Sequence, residues 1–256
     1  MAGERIRAVG DHATLLAPIA THDAGDESFD VFEYLPGGEI GRLRGRPWTL
    51  IARRLLPVLE ALPQLHAAGW VHGDLKSANV LLDGDGLPRL VDLGSARGIG
   101  STQPAGASPY STSPERLDGA AAAVADDVYA LGVLFYELVS GHPPFYPDVT
   151  PARVHDEIPP PVAGRPDPSE AFRALVARCL AKQPADRPVS MRVVHEELHL
   201  LLESAPGDAA ATVAPGIATW QPRPPADALP AQPQCCLLYT SPSPRDRTRS
   251  RMPSSA

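Results

Sequence analysis

The stretch His72-Gly73-Asp74-Leu75-Lys76-Ser77-Ala78-Asn79-Val80-Leu81-Leu82, with Asp92-Leu93-Gly94 after it, decides how this chain is read. Between the two, Val80-Leu81-Leu82 and Arg89-Leu90-Val91 flank Asp83-Gly84-Asp85-Gly86, apolar runs around a turn signal that predict a β-hairpin. One ribbon thus carries an acid (Asp74), a lysine two residues on (Lys76), an amide three beyond that (Asn79), and a second acid (Asp92) across the hairpin. Phosphoryl transfer uses such a set: a carboxylate to orient or deprotonate a hydroxyl, a cation on the transferred group, and oxygen ligands for magnesium. Singly, each residue has an ordinary use. Asp after Gly makes turns, Asn caps and turns, and His72 packs and hydrogen-bonds within a core. The joint spacing carries the argument.

Outward from the ribbon, Val31-Phe32-Glu33-Tyr34-Leu35 reads as a strand that ends at the turn Pro36-Gly37-Gly38. Residues 49–66 place Leu50, Leu55, Val58, Leu62 and Leu65 at helical spacing. Pro57 and Pro63 interrupt that pattern, each costing about 3 kcal/mol in a helix interior. Val128 to Val139 is almost wholly apolar and predicts a buried helix. Leu175–Leu180 and Val193–Leu202 predict two amphipathic helices around Asp186-Arg187-Pro188. A few strands followed by many helices indicate an α+β fold whose bulk is helical.

The chain has 256 residues, 43% apolar and 21% charged, enough for a domain with a substantial core. No apolar run approaches the ~18 residues of a membrane span, and no charged-then-apolar leader opens the chain. The formal charge of −7 argues against a nucleic-acid binder held by phosphate contacts. Residues 204–234, rich in Pro and Ala, read as a disordered linker that buries too little apolar surface to offset its ordering entropy. Residues 235–256 look like a translated sequencing adapter: Cys-Leu-Leu-Tyr-Thr-Ser at 236–241 is encoded by TGT CTC TTA TAC ACA TCT, and the closing residues match its far side. That tail holds four arginines and one aspartate, so residues 1–234 carry −10 and keep only Cys179. One cysteine makes no internal disulfide, and a reducing, cytoplasmic compartment is expected.

HGDLKSANVLL resembles the H-R-D-L-K-x-x-N catalytic loop of eukaryotic-type (Hanks-type) serine/threonine protein kinases, and DLG resembles their D-F-G. The resemblance implies Asp74 as catalytic base, Lys76 on the γ-phosphate, and Asn79 and Asp92 as metal ligands. It further implies that Lys76, in place of the alanine-arginine pattern of tyrosine kinases, goes with Ser/Thr specificity. Small-molecule phosphotransferases share HGD loops, and three downstream features separate them. Residues 107–115 resemble the G-T-P-x-Y-x-A-P-E segment, with Ser108 keeping the hydroxyl that bonds Asp74 and Lys76. Asp126-Asp127-Val128-Tyr129-Ala130-Leu131-Gly132 resembles the start of the central helix, with Asp127 anchoring the catalytic-loop backbone. Arg187 resembles the arginine paired with the A-P-E glutamate, here Glu115.

By the same resemblance, residues 31–35 are the hinge. Phe32 is then the gatekeeper, the backbones of Glu33 and Leu35 bond the adenine, Glu39 reaches the ribose and Leu81 floors the pocket. ATP, Mg²⁺ and a protein substrate are the implied partners, with no nucleic acid and no membrane segment in this chain. The implied fold is the kinase C-lobe (36–203) behind a partial N-lobe (1–35: the end of helix C, then strands four and five). Spacing puts His12 to Leu16 where helix C runs into strand four, and Glu4 is either the remnant of the helix C glutamate or a solvated helix start. Gly73 stands where the family has arginine, which argues against control by loop phosphorylation. No glycine-rich loop and no lysine precede Lys76, so this polypeptide is expected to bind ATP poorly and transfer phosphate negligibly. The alternative is a pseudokinase or C-lobe binding module. The Pro/Ala-rich linker resembles the juxtamembrane segment of bacterial receptor-like kinases, which points to a membrane anchor in an intact parent.

Overall fold

The computed structural model describes residues 12–24, 27–102, 110–205 and 235–236. The chain opens with an antiparallel pair, β1 (Ala20–Ala24) and β2 (Glu27–Glu33), in register from Ala20↔Val31 to Ala24↔Glu27. The predicted strand 31–35 is therefore the second half of β2, whose polar start at Glu27-Ser28 gives no strand signal. It stops at Glu33 because the chain turns at Pro36-Gly37, where the Gly38 N–H donates to the Leu35 carbonyl. Leu15, expected at the entry to strand four, makes only an isolated bridge to Leu90, and the strand itself begins at Ala20.

Helix α1 (Trp48–Ala67) runs straight through both prolines. Ile51, Leu55, Val58, Leu59, Leu62 and Leu65 on its inner face are 0% exposed. At about 1.5–3 kcal/mol each, these six outweigh two proline defects of about 3 kcal/mol. Tertiary packing overrides propensity here.

Short strands β3 (Gly38–Glu39), β4 (Trp70–Val71), β5 (Val80–Leu82), β6 (Pro88–Leu90) and β7 (Arg97–Gly98) frame the loop between α1 and the rest of the chain. The predicted hairpin is β5–β6, extended on its other side by β3. Asp83 makes its turn: its Oδ1 accepts the N–H groups of Asp85 (3.0 Å) and Leu87 (2.9 Å). A further strand, β8 (Cys235–Cys236), lies on the edge of β2 opposite β1, in register Phe32↔Cys236 and Glu33↔Cys235. An unpaired strand edge accepts an extended segment whatever its origin.

The remainder is helical: α2 (Pro114–Leu117), α3 (Val124–Ser140), α4 (Pro151–Asp156), α5 (Glu170–Cys179) and α6 (Met191–Ser204). Helix α3 is the axis of the core, buried from Asp126 through Tyr136. Gly132 lets it touch α5, since a Cβ there would lie 2.8 Å from that of Cys179. Phe172 of α5 packs edge-on to Phe135 (5.6 Å) and against Trp48 of α1 (4.7 Å). Helix α6 buries Met191, Val194, Leu198 and Leu202, one stripe at helical spacing. Burial pushes the Cys179 thiol up to about 12, which leaves it an inert packing group. No helix among the described residues is long and apolar enough to cross a membrane.

Candidate active site

The loop from His72 to Asn79 leaves β4 and is pinned first by α3. Asp127, fully buried in the first turn of that helix, accepts the backbone N–H of His72 at 2.8 Å and of Gly73 at 2.9 Å. His66, on the last turn of α1, meets the same carboxylate at 2.8 Å. Burial opposes the Asp127 charge, but the His66 bond and charge, the nearby His72 and the Gly73 N–H hold its pKa below the ordinary aspartate value.

His72 is wholly buried and structural, as its sequence context suggests. Its Nδ1 accepts the Asp74 N–H at 3.3 Å, which makes Nε2 the protonated nitrogen that donates to the Val91 carbonyl at 3.1 Å. Gly73 has φ +74°, and a Cβ there would stand 3.0 Å from the Ser95 carbonyl oxygen. The absence of a side chain thus suits a left-handed backbone in a close approach.

Asp74, 3% exposed, follows directly. Its Oδ2 accepts from Lys76 Nζ at 2.6 Å and Asn79 Nδ2 at 3.2 Å, and Asn79 Nδ2 also bonds the Asp74 carbonyl at 2.8 Å. Three of the four residues singled out from spacing therefore form one hydrogen-bonded set. The fourth, Asp92, is exposed and left-handed (φ 61°, ψ 59°), with its carboxylate on the Gly94 N–H at 3.3 Å. A non-glycine residue there costs of order 1–3 kcal/mol, a strain that collects at functional sites. Its predecessor Val91 donates to the Asn79 carbonyl at 2.9 Å, so the two candidate metal ligands hang from adjacent, directly bonded backbone.

Asn79 spends its amide nitrogen on Asp74, leaving its oxygen chemistry for a cation, and Asp92 offers a carboxylate. These hard oxygens suit Mg²⁺, which takes one or two protein ligands and completes its shell with water and phosphate. Among the described residues no three His, Cys, Asp or Glu side chains gather at one point.

Opposite lies a small apolar cluster separate from the main core. Leu16, Leu35 and Val91 are buried in it, with Phe32 and Leu81 packed against it. Gatekeeper, hinge and pocket-floor candidates thus meet Val91, the neighbour of Asp92. Glu39 stands opposite Leu81 across the β3–β5 ladder. Glu33 is exposed at the end of β2, in register with Cys235. Ser108 and Glu4 lie outside the described residues.

Beneath the loop, Arg187 and Glu115 form a bidentate pair (2.6 and 2.8 Å), the Arg187 side chain being 0% exposed. The other Arg187 N–H groups reach the carbonyls of Ala181, Ala125 and Lys182, and its guanidinium covers the Tyr129 ring at 4.9 Å. All five donors are satisfied. Although partial burial opposes its charge, the Arg187 bond holds Glu115 below the ordinary glutamate range. Beside it, burial raises Asp126 to about 6, against hydrogen bonds from Ala123 and Ser113.

Two groups escaped the sequence reading. His66 had no local signal, lying 61 residues from Asp127. The second is Ser77, whose hydroxyl donates to Glu137 Oε1 at 2.9 Å and accepts from Arg44 Nη2 at 3.0 Å. Ser77 sat in view inside the loop, but Glu137 and Arg44 did not.

A family model described as the protein kinase domain matches residues 6–199. The chain is 33% identical over 207 residues to the serine/threonine-protein kinase pkn3 of Myxococcus xanthus, an alignment covering 70% of this chain and 38% of that one. Against the serine/threonine-protein kinase PknL of Mycobacterium tuberculosis it is 33% identical over 204 residues, covering 73% and 51%. For the serine/threonine-protein kinase PknE of the same species the figures are 30% over 213 residues, 76% and 37%. The chain thus spans roughly a third to a half of the curated relatives it matches. This chain belongs to the protein kinase family.

Proposed function

We propose that residues 36–203 are the C-lobe, carrying the catalytic loop, of a cytoplasmic serine/threonine kinase that transfers the ATP γ-phosphoryl group to a protein hydroxyl. Asp74 takes the acceptor hydroxyl's proton or orients it, and Lys76 sits on the transferred group. Asn79 and Asp92 hold Mg²⁺, which when bound neutralises charge on the phosphates. Phe32, Leu35 and Leu81 enclose the adenine, the backbones of Glu33 and Leu35 bond it, and Glu39 reaches the ribose. The observation that supports this reading most is the bonded set Asp74–Lys76–Asn79, tied through Val91 to Asp92.

The lysine that grips the other phosphates has no counterpart ahead of Lys76 in these 256 residues. Transfer is therefore assigned to the full-length kinase, and the 256-residue chain alone is expected to show negligible turnover. Radiolabelled phosphate from Mg·ATP tests this. The full-length kinase should label serine or threonine, and Asp74→Asn should cut turnover by roughly 10²-fold or more. Undiminished labelling by Asp74→Asn would contradict the assignment.

A further inference from the structure

Helix α3 holds the catalytic loop at two places. Asp127 in its first turn grips the entrance of the loop through the backbone N–H groups of His72 and Gly73. Glu137 in its last turns grips the exit through Ser77. The two carboxylates are ten residues apart, about 15 Å along the axis. Asp74, Lys76 and Asn79 are carried on the span between or beside these pins.

The exit needs such a hold. Ser77–Asn79 is a single 3₁₀ turn with no side-chain cap, and one turn has no stability of its own. Ser77 is 5% exposed, and its hydroxyl belongs to a closed ring of directional bonds. Arg44 Nη2 donates into the Ser77 oxygen, the Ser77 O–H donates to Glu137 Oε1, and Arg44 Nε donates to that same Oε1 at 2.9 Å. Arg44 is itself placed by the Gly45 N–H on the Leu138 carbonyl at 2.7 Å. The hydroxyl can point only one way in this ring. A shift at Ser77 would move Asn79 two residues on, and with it the Asp74 carboxylate that Asn79 bonds.

We propose that Ser77, clamped by Glu137 and Arg44, is a positioning residue that sets the Lys76–Asn79 side of the catalytic loop for phosphoryl transfer. This rests on the kinase reading above. Ser77 touches no reacting atom. It acts by fixing where Asn79 and Asp74 stand, so its loss should lower turnover while nucleotide affinity holds.

The test compares Ser77→Ala, Ser77→Thr and Arg44→Met in the full-length kinase, with hydrogen exchange of the Asn79 amide followed alongside. Ser77→Ala should lower kcat about tenfold with the KM for ATP kept within about twofold, below the ~10²-fold that a full ångström of misplacement can cost. Asn79 exchange should quicken, and Ser77→Thr, which keeps the hydroxyl, should restore both. Arg44, 42% exposed, can be replaced without emptying the core, so Arg44→Met gives the same signature even where Ser77→Ala folds poorly. Unchanged kcat and unchanged Asn79 exchange in Ser77→Ala and Arg44→Met would overturn the clamp. So would a threonine variant as impaired as the alanine one. Asp74→Asn separates the two failures: an inactive Asp74→Asn beside a fully active Ser77→Ala sinks the clamp alone, whereas an active Asp74→Asn sinks the kinase reading.

Discussion

The two walls of the site are held by different forces. On the catalytic-loop side, buried polar atoms fix backbone directly, through Asp127 on two N–H groups, His72 between Asp74 and Val91, and Asn79 on Asp74. On the proposed hinge side, Phe32, Leu35 and Leu81 belong to a cluster with three buried members among the described residues. Hydrogen bonds fix direction as well as distance, whereas apolar contact fixes proximity and leaves orientation loose. The loop wall is therefore preorganised by its own domain.

The largest expected effect lies on the polar wall. Asp127→Ala strands the buried His72 N–H, the half-buried Gly73 N–H and the His66 ring, and should cost about 3–5 kcal/mol in urea unfolding. Amide exchange at His72 and Gly73 should accelerate in step. On the apolar wall, Leu35→Ala should cost only about 2 kcal/mol, the low end for a buried leucine, because its cluster is small and can collapse. Exchange in the catalytic loop should stay as it is. Equal loosening of both walls by either variant would erase the contrast.

How far this was readable from sequence follows the same division. The meeting of Asp74, Lys76 and Asn79 was legible because polar residue types at fixed spacing beside one hairpin have few other reasons to coexist. The apolar run of α3 was legible because nearly every position is buried. The tolerance of Pro57 and Pro63 was not, since it comes from the core that α1 covers. The start of β2 was hidden by its polar residues, and β1 (ATHDA) by its lack of alternation. Gly73 reads as a lost arginine in sequence, while its backbone angle shows a position that suits glycine. Ser77, Glu137 and Arg44 are separated by 33 to 93 residues, and no local pattern joins them.

The smallest effect is one of pH. Asp126 titrates at about 6 in the fold against 3.8 in its reference state, so the folded chain holds that proton more tightly than the unfolded one. Its contribution to stability is full below about 3.8 and is lost as pH rises through about 6. Asp127 and Glu115, whose pKa values are lowered, act in the opposite sense and lose their contribution toward acid. Subtracting Asp126→Asn from the parent isolates the first effect: the parent's stability relative to the variant should fall between pH 4 and pH 7. A flat difference would show that Asp126 is not held by burial near Ser113.

The most direct test of the site uses Mn²⁺·ATP as a paramagnetic stand-in for Mg²⁺·ATP on the ¹⁵N-labelled full-length kinase. Amide broadening should centre on Asn79 and Asp92, spread to Asp74 and Lys76, and vanish in Asp92→Asn. Broadening centred elsewhere, or unaltered by that substitution, would contradict the convergence of these four residues on one phosphoryl group.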